Sequence, residues 1–189
     1  MGGTGEGGGR LDGELLMLAR RHPRETWATR VDLGELARFW LQRHAMFRHL
    51  DEEIREGVDD ALSDQTQAAA FRPWLARHLG FALGQLEEHH AVEDQHYFPA
   101  FRRAEPRLAP GFELLDRDHG AIHAAIAGLA AHAEAVLNAE PAAFRSALGR
   151  LRDAHAEHAR ALLRHLDDEE DLVVPLLLER GEHALLGGG

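Results

Sequence analysis

The sequence predicts an all-α protein: an antiparallel up-down-up-down four-helix bundle with a short N-terminal extension. Three observations carry this. Ala (31) and Leu (29) dominate the 189 residues while Val, Ile and Thr together number 13, a balance that disfavours strands, which draw on β-branched residues. Apolar residues recur at helical spacing over long stretches separated by Pro- and Gly-bearing breaks. Two stretches also repeat each other 76 residues apart, which divides the chain into two similar helix hairpins.

Taken in order, MGGTGEGGGR has no basic stretch followed by an apolar one and reads as a flexible Gly-rich tail. LDGELLMLARRH at 11–22 reads as a short helix before Pro23, outside the main body. Residues 1–30 are thus tail and extension, and 31–180 the bundle. Asp32 is placed as N-cap of a first long helix, Leu33 to Val58. Pro73 suits an early position in a second, which runs to Arg103. The Pro- and Gly-containing stretch 103–111 is a turn, and a third helix spans Phe112 to Asn138. AsnAlaGluPro at 138–141 breaks it, and the fourth runs from Pro141 to Arg180, leaving 181–189 as a flexible tail.

Composition removes several classes of function. No Cys is present, which excludes disulfides, thiolate zinc, iron–sulfur ligation and a Cys nucleophile. All 21 basic residues are Arg, so neither a Schiff-base nor a P-loop lysine exists. A net charge of −11 opposes nucleic acid and anionic membranes, and no stretch is expected to be apolar enough to span a bilayer. A cytoplasmic location and a monomer are the default expectations. The unusual count is 14 His.

The repeat arranges those histidines. LeuGluGluHisHisAlaValGluAsp from Leu86 parallels LeuLeuArgHisLeuAspAspGluGlu from Leu162, pairing His89 with His165, Glu93 with Glu169, Asp94 with Glu170 and Pro99 with Pro175. ArgHisAlaMetPheArg at 43–48 parallels AspHisGlyAlaIleHis at 118–123, pairing His44 with His119. Residues i and i+4 lie about 40° apart on a helix, so His89/Glu93, His119/His123 and His165/Glu169 each form one patch. Each patch shares its helix face with apolar residues: Leu75, Leu79 and Leu86; Leu115, Ile122 and Ile126; Leu162, Leu172 and Leu176. His44 shares its face with Leu33, Trp40 and Phe47.

Seven imidazole and carboxylate groups facing a core require compensation, and a bound cation supplies it. His49/Glu53 has the same spacing but points away from its helix's apolar stripe and reads as a solvent-face ion pair. His22, His78, His132, His155 and His183 read as surface residues. His90 falls about 100° round the helix from His89, at the core boundary or behind a ligand. His96 and His158 face the core two turns from proposed ligands, either as an extra ligand or proton relay or as hydrogen-bonded core histidines. Five imidazoles and two carboxylates exceed the needs of one structural zinc and contain too much nitrogen for Ca²⁺ or Mg²⁺. Two ions bridged by the carboxylates fit, with iron favoured over manganese or zinc and one position left open. The repeated patches read His-x3-Glu, the reverse order and a different spacing from the Glu-x2-His of ferritin-like sites, so that alternative loses.

His44, HHAVEDQHYFP at 89–99, DHGAIH at 118–123 and HLDDEED at 165–171 together resemble the hemerythrin-like, or HHE cation-binding, domain, over about residues 33–180 and in its bacterial form. The resemblance implies a four-helix bundle around two non-haem iron ions with an oxo or hydroxo bridge. It implies that His119, His123 and His165 hold the six-coordinate iron, that His44 and His89 hold the open one, and that Glu93 and Glu169 bridge. Oxygen carriers of this family place the last carboxylate five residues after the final His, where Glu170 stands here; relatives with the i+4 Glu serve iron, oxygen, peroxide or nitric oxide responses. The expected function is therefore binding of O₂, peroxide or NO at the open iron. A peroxidase or nitric-oxide-processing activity follows if a proton donor such as His96 or His158 reaches the site. The alternative is an iron-sensing or iron-donating protein, and the blander one a structural zinc or manganese bundle. Trp40, Phe47, Leu86, Ile122 and Leu162, each a turn from a ligand, are expected to line the ligand pocket.

Overall fold

Four long apolar-striped segments become four long helices: α2 (Glu35–Ser63), α3 (Ala68–Val92), α5 (Ala109–Leu137) and α6 (Pro141–Arg180). The computed structural model describes residues 10–11, 13–63 and 68–186, and contains no strand among them. Helix α5 packs along α6, α2 packs on both α6 and α3, and α3 packs on α5, so each long helix has two long neighbours. Three apolar clusters fill the bundle. One joins Trp40, Phe98, Phe101, Phe112 and Leu172; the next joins Phe47, Leu86, Ile122, Ile126, Leu162 and Leu166; the last contains Ile54, Leu75, Leu129, Leu148 and Leu151. The histidines lie in sequence between residues of the first two clusters, so a polar layer is enclosed by apolar ones.

Helix boundaries follow the local chemistry with some corrections. Pro141 opens α6 after an extended Glu140, as expected of a residue whose missing N–H would have no helical partner there. Asp32 does not cap the first long helix; its carboxylate accepts from Arg30, and α2 starts at Glu35 and continues past Val58 to Ser63. The second segment is not one uninterrupted α-helix. After Val92 it widens into a π turn, Glu93–Tyr97, and resumes as α4 (Phe98–Ala104). Pro99 follows this turn and could not have closed an α-helical bond to residue 95. Residues 106–137 are, by length and composition only, apolar enough to cross a membrane, which corrects the expectation that no stretch is; the apolarity comes largely from Ala in α5.

The chain before α2 is no appendage. Leu15–Met17 forms a single 3₁₀ turn rather than a helix over 11–22, and α1 is only Arg24–Trp27. Leu11, Leu18, Trp27 and Leu33 are buried in the cluster that holds Trp40 and Phe112. This strap therefore belongs to the main body. The other end of the chain also folds back: Gly181, with φ of 76°, turns α6 into α7 (Glu182–Leu186), where a flexible tail was expected. Leu185 is buried, and the Ala37 N–H donates to Glu182 Oε1 over 3.0 Å, so α7 caps the first turn of α2. Gly34 permits that approach, since a Cβ there would collide with the Glu182 carboxylate. Residues 1–9, part of the expected N-terminal tail, and 187–189, part of the expected C-terminal tail, lie outside the described residues.

Candidate metal centre

Each long helix delivers donors to one layer: His44 from α2, His89 and His90 from α3, His119 from α5, and His165 and Glu169 from α6. Glu93 enters from the first position of the π turn. All seven are buried. They fall into two groups whose donor atoms lie within 4.8 Å of one another, His44/His89/Glu93/Glu169 and His90/His119/His165. The carboxylates connect the groups. Glu93 Oε1 stands 2.9 Å from His89 Nε2, and its Oε2 3.5 Å from His119 Nε2. Glu169 Oε1 stands 3.4 Å from His44 Nε2, and its Oε2 3.3 Å from His165 Nε2.

The Nε2 atoms also converge, with His44 and His89 3.3 Å apart and His119 and His165 3.1 Å apart. Their Nδ1 edges face carboxylates: Glu170 at 3.0 Å from His44, Asp94 at 2.7 Å from His119 and Asp118 at 3.6 Å from His165. At His44 and His119 the carboxylate is within hydrogen-bond reach, which holds the proton on Nδ1 and leaves Nε2 as the donor to a cation. Glu169 also accepts from the Trp40 indole N–H.

The site is electrostatically incomplete by itself. Burial, reinforced by the charge of Glu169, pushes the Glu93 carboxyl well above the usual carboxylate range. Burial acts on Glu169 in the same sense, but His44 and His165 outweigh it and hold that carboxyl well below its usual range. His89 is pushed down to about 3, mainly by burial, and burial also lowers His90 and His119. His44 runs opposite: Glu169 and Glu170 overcome its burial and raise it to about 9. Both Glu93 oxygens, Glu169 Oε2 and His90 Nε2 are buried with no hydrogen-bond partner. Orphaned buried acceptors on two carboxylates, beside the His89, His90 and His119 imidazoles that burial keeps neutral, are a donor set that a divalent or trivalent cation completes.

Six of the seven expected ligands thus come together, and one does not. His123 is exposed. His90 takes its place, its ring stacked on His119 and its Nδ1 3.3 Å from His123 Nε2. The buried positions of α5 explain why: Leu115, His119, Ile122, Ile126, Leu129, Ala133 and Val136 alternate steps of four and three, and 123 falls just outside that seam. His96 is also exposed, because the π turn breaks the 3.6-residue phase that would have carried it inward. His158 is buried as expected, but two turns from the site beside His155, which is buried against Asp51 at 3.2 Å rather than on the surface. Glu170 turns away from the layer to His44 Nδ1 and Arg48, so Glu169 is the carboxylate between the two groups. His49 is exposed and pairs with Glu53 at 3.5 Å.

Of the expected pocket residues, Phe47, Leu86, Ile122 and Leu162 form the apolar layer on one side of the donors and Trp40 belongs to the layer on the other. A groove of about 430 Å³, walled by Phe39, Trp40, Arg43 and Tyr97, reaches His89 and Glu93. The other group has no comparable opening among the described pockets.

A helical bundle enclosing a layer of imidazoles tied by two carboxylates defines a cation-binding protein. The chain belongs to the hemerythrin HHE cation binding domain family, which matches residues 35–177. No curated protein and no solved structure gives a significant match.

Proposed function

We propose that this is a dinuclear non-haem iron protein whose ligand is O₂ or a related small molecule, peroxide or NO. The observation that supports it most is the carboxylate geometry: Glu93 and Glu169 each reach one histidine of both groups, the placement of two bridging ligands. His90, His119 and His165 with two carboxylate oxygens would nearly fill an octahedral ion. His44 and His89 with the other two oxygens leave more than one position to solvent or ligand, on the side where the groove arrives. The four long helices are read as an up-down-up-down bundle.

Iron held there would supply the electrons for reversible or reductive chemistry on the ligand. The chain's own part is to order the donors and limit water. Trp40 fixes Glu169 through its indole N–H, and Phe47 packs 5.0 Å from the His89 ring on the dry side. With His96 on the surface and His158 two turns away, neither histidine delivers a proton to this position, and Tyr97 and Arg43 are the protic side chains of the groove that reaches it.

The test is iron counting with visible spectroscopy through anaerobic reduction and O₂ exposure. About two irons per chain and an O₂-dependent spectrum support the reading. One iron per chain, or full zinc occupancy from iron-replete medium, overturns it. Two irons without an O₂ response transfer the function to iron sensing or donation.

A further inference from the structure

Two arginines of the N-terminal strap sit behind the metal-facing histidines. Arg10 donates to both carboxylate oxygens of Asp118, Nη1 to Oδ1 at 2.8 Å, and also to Asp168 Oδ2 at 3.0 Å. Asp118 Oδ2 lies 3.6 Å from His165 Nδ1, an ion-pair separation just beyond hydrogen-bond reach, and is the carboxylate nearest that nitrogen. Arg24 donates to Glu170 and, at 2.9 Å, to Asp171 Oδ1, and Glu170 is the carboxylate on His44 Nδ1. The strap therefore ends twice in the same chain of contacts, arginine to carboxylate to imidazole, once for each group of donors. Both histidines so reached are the ones Glu169 touches.

We propose that Arg10 and Arg24 are positioning residues for the metal centre, and that the strap they belong to sets how firmly both ions are held. This rests on the reading of the layer as a two-ion site. A carboxylate that accepts from Nδ1 keeps Nε2 directed at the cation only while the carboxylate itself stays in place. The guanidinium of Arg10 forks onto both oxygens of Asp118, a charge-assisted geometry that fixes its plane. Arg24 and Arg48 grip Glu170 from two sides. Simple attachment of the strap has other means: Leu18 and Trp27 are buried, and Arg21 and His22 both bind Glu179, away from the donors. His119 gives a comparison inside the molecule, since its partner Asp94 is bound by no strap arginine among the described contacts.

The experiment follows loss of metal from the loaded full-length chain to a chromophoric chelator, with zinc as the probe so that no redox chemistry is required. Arg10→Ala and Arg24→Ala should each speed release of one ion about tenfold, the lower end of the effect of removing support behind a ligand. Arg24→Lys, which keeps the charge, should recover much of the loss. Arg21→Ala should lower the melting temperature by a similar amount and release zinc at the unmodified rate. Release within twofold of the unmodified protein for both Ala variants overturns the proposal, as does equal acceleration by Arg21→Ala. Failure of the two-ion reading is seen separately, as fewer than two zinc or iron ions in the unmodified chain.

Discussion

His90 and His119 stack with ring centroids 3.9 Å apart and planes inclined by 15°, and this contact places His90 among the donors. His123, one turn beyond His119 and exposed, lies with its Nε2 3.3 Å from His90 Nδ1, on the far side of that ring from its buried Nε2. His90→Ala should therefore remove a donor and lower metal content from about two ions per chain toward one. His123→Ala should leave stoichiometry unchanged. Metal analysis of the two variants checks this, and the reverse outcome would return the ligand role to His123.

The carboxylates give the second prediction. Glu93→Ala and Glu169→Ala should lose metal and lower the melting temperature of the loaded protein by roughly 5–10 °C, the loss of binding linkage in a domain of this size. Metal-free Glu93→Ala should show no such fall, because burial and Glu169 already hold that carboxyl protonated, whereas metal-free Glu169→Ala should keep part of it, because Glu169 is the counter-charge of His44 and His165. Glu170→Ala should still load both ions but hold them less firmly, since that side chain supports His44 from behind rather than joining the two groups. Calorimetry with and without metal separates the three.

Much of this was legible in the sequence, because the 76-residue repeat and the shared apolar faces place six donors with no coordinates at all. What escaped has identifiable causes. The adjacent pair His89 and His90 could not be resolved by angle alone, because at this end of α3 the His89 ring meets His44 of α2 while the His90 ring meets His119 of α5 and His165 of α6, so both are buried. The i+4 spacing puts His123 on the face of His119, yet the buried seam of α5 runs through His119 and Ile122 and leaves it just outside. The π turn leaves no periodic signal, so His96 was carried inward by a phase that the backbone does not keep. The strap was misplaced because its buried residues, Leu11, Leu18 and Trp27, are too sparse to mark a helix face.

A pH effect follows from His158. Burial, then the charge of neighbouring His155, pushes its imidazole from 6.5 down to about 4. The unfolded chain takes up this proton as pH falls through 6.5 while the folded chain does not until about 4. Its contribution to stability is thus complete above about 6.5 and is lost as pH falls from there toward 4. Between pH 7.5 and 5 the loss should be about 2 kcal/mol. Urea melts of the metal-free protein at the two pH values, beside those of His158→Leu, isolate the term; an equal pH dependence in both would refute it.

The contact between the two ends of the bundle domain gives the last prediction. Glu182 takes the Ala37 N–H, one of the four unpaired donors at the start of α2, and reaches it over Gly34. Glu182→Ala should cost about 1 kcal/mol, the usual value of a helix cap. Gly34→Ala puts a methyl where that carboxylate lies, and the flexible Glu182 side chain must swing out and give up the cap. The two substitutions therefore remove one interaction by different means, and their effects should not add. In a double-mutant cycle the pair should cost no more than Glu182→Ala alone, to within about 0.5 kcal/mol. Strict additivity in denaturant melts would mean that Gly34 serves α2 independently of Glu182.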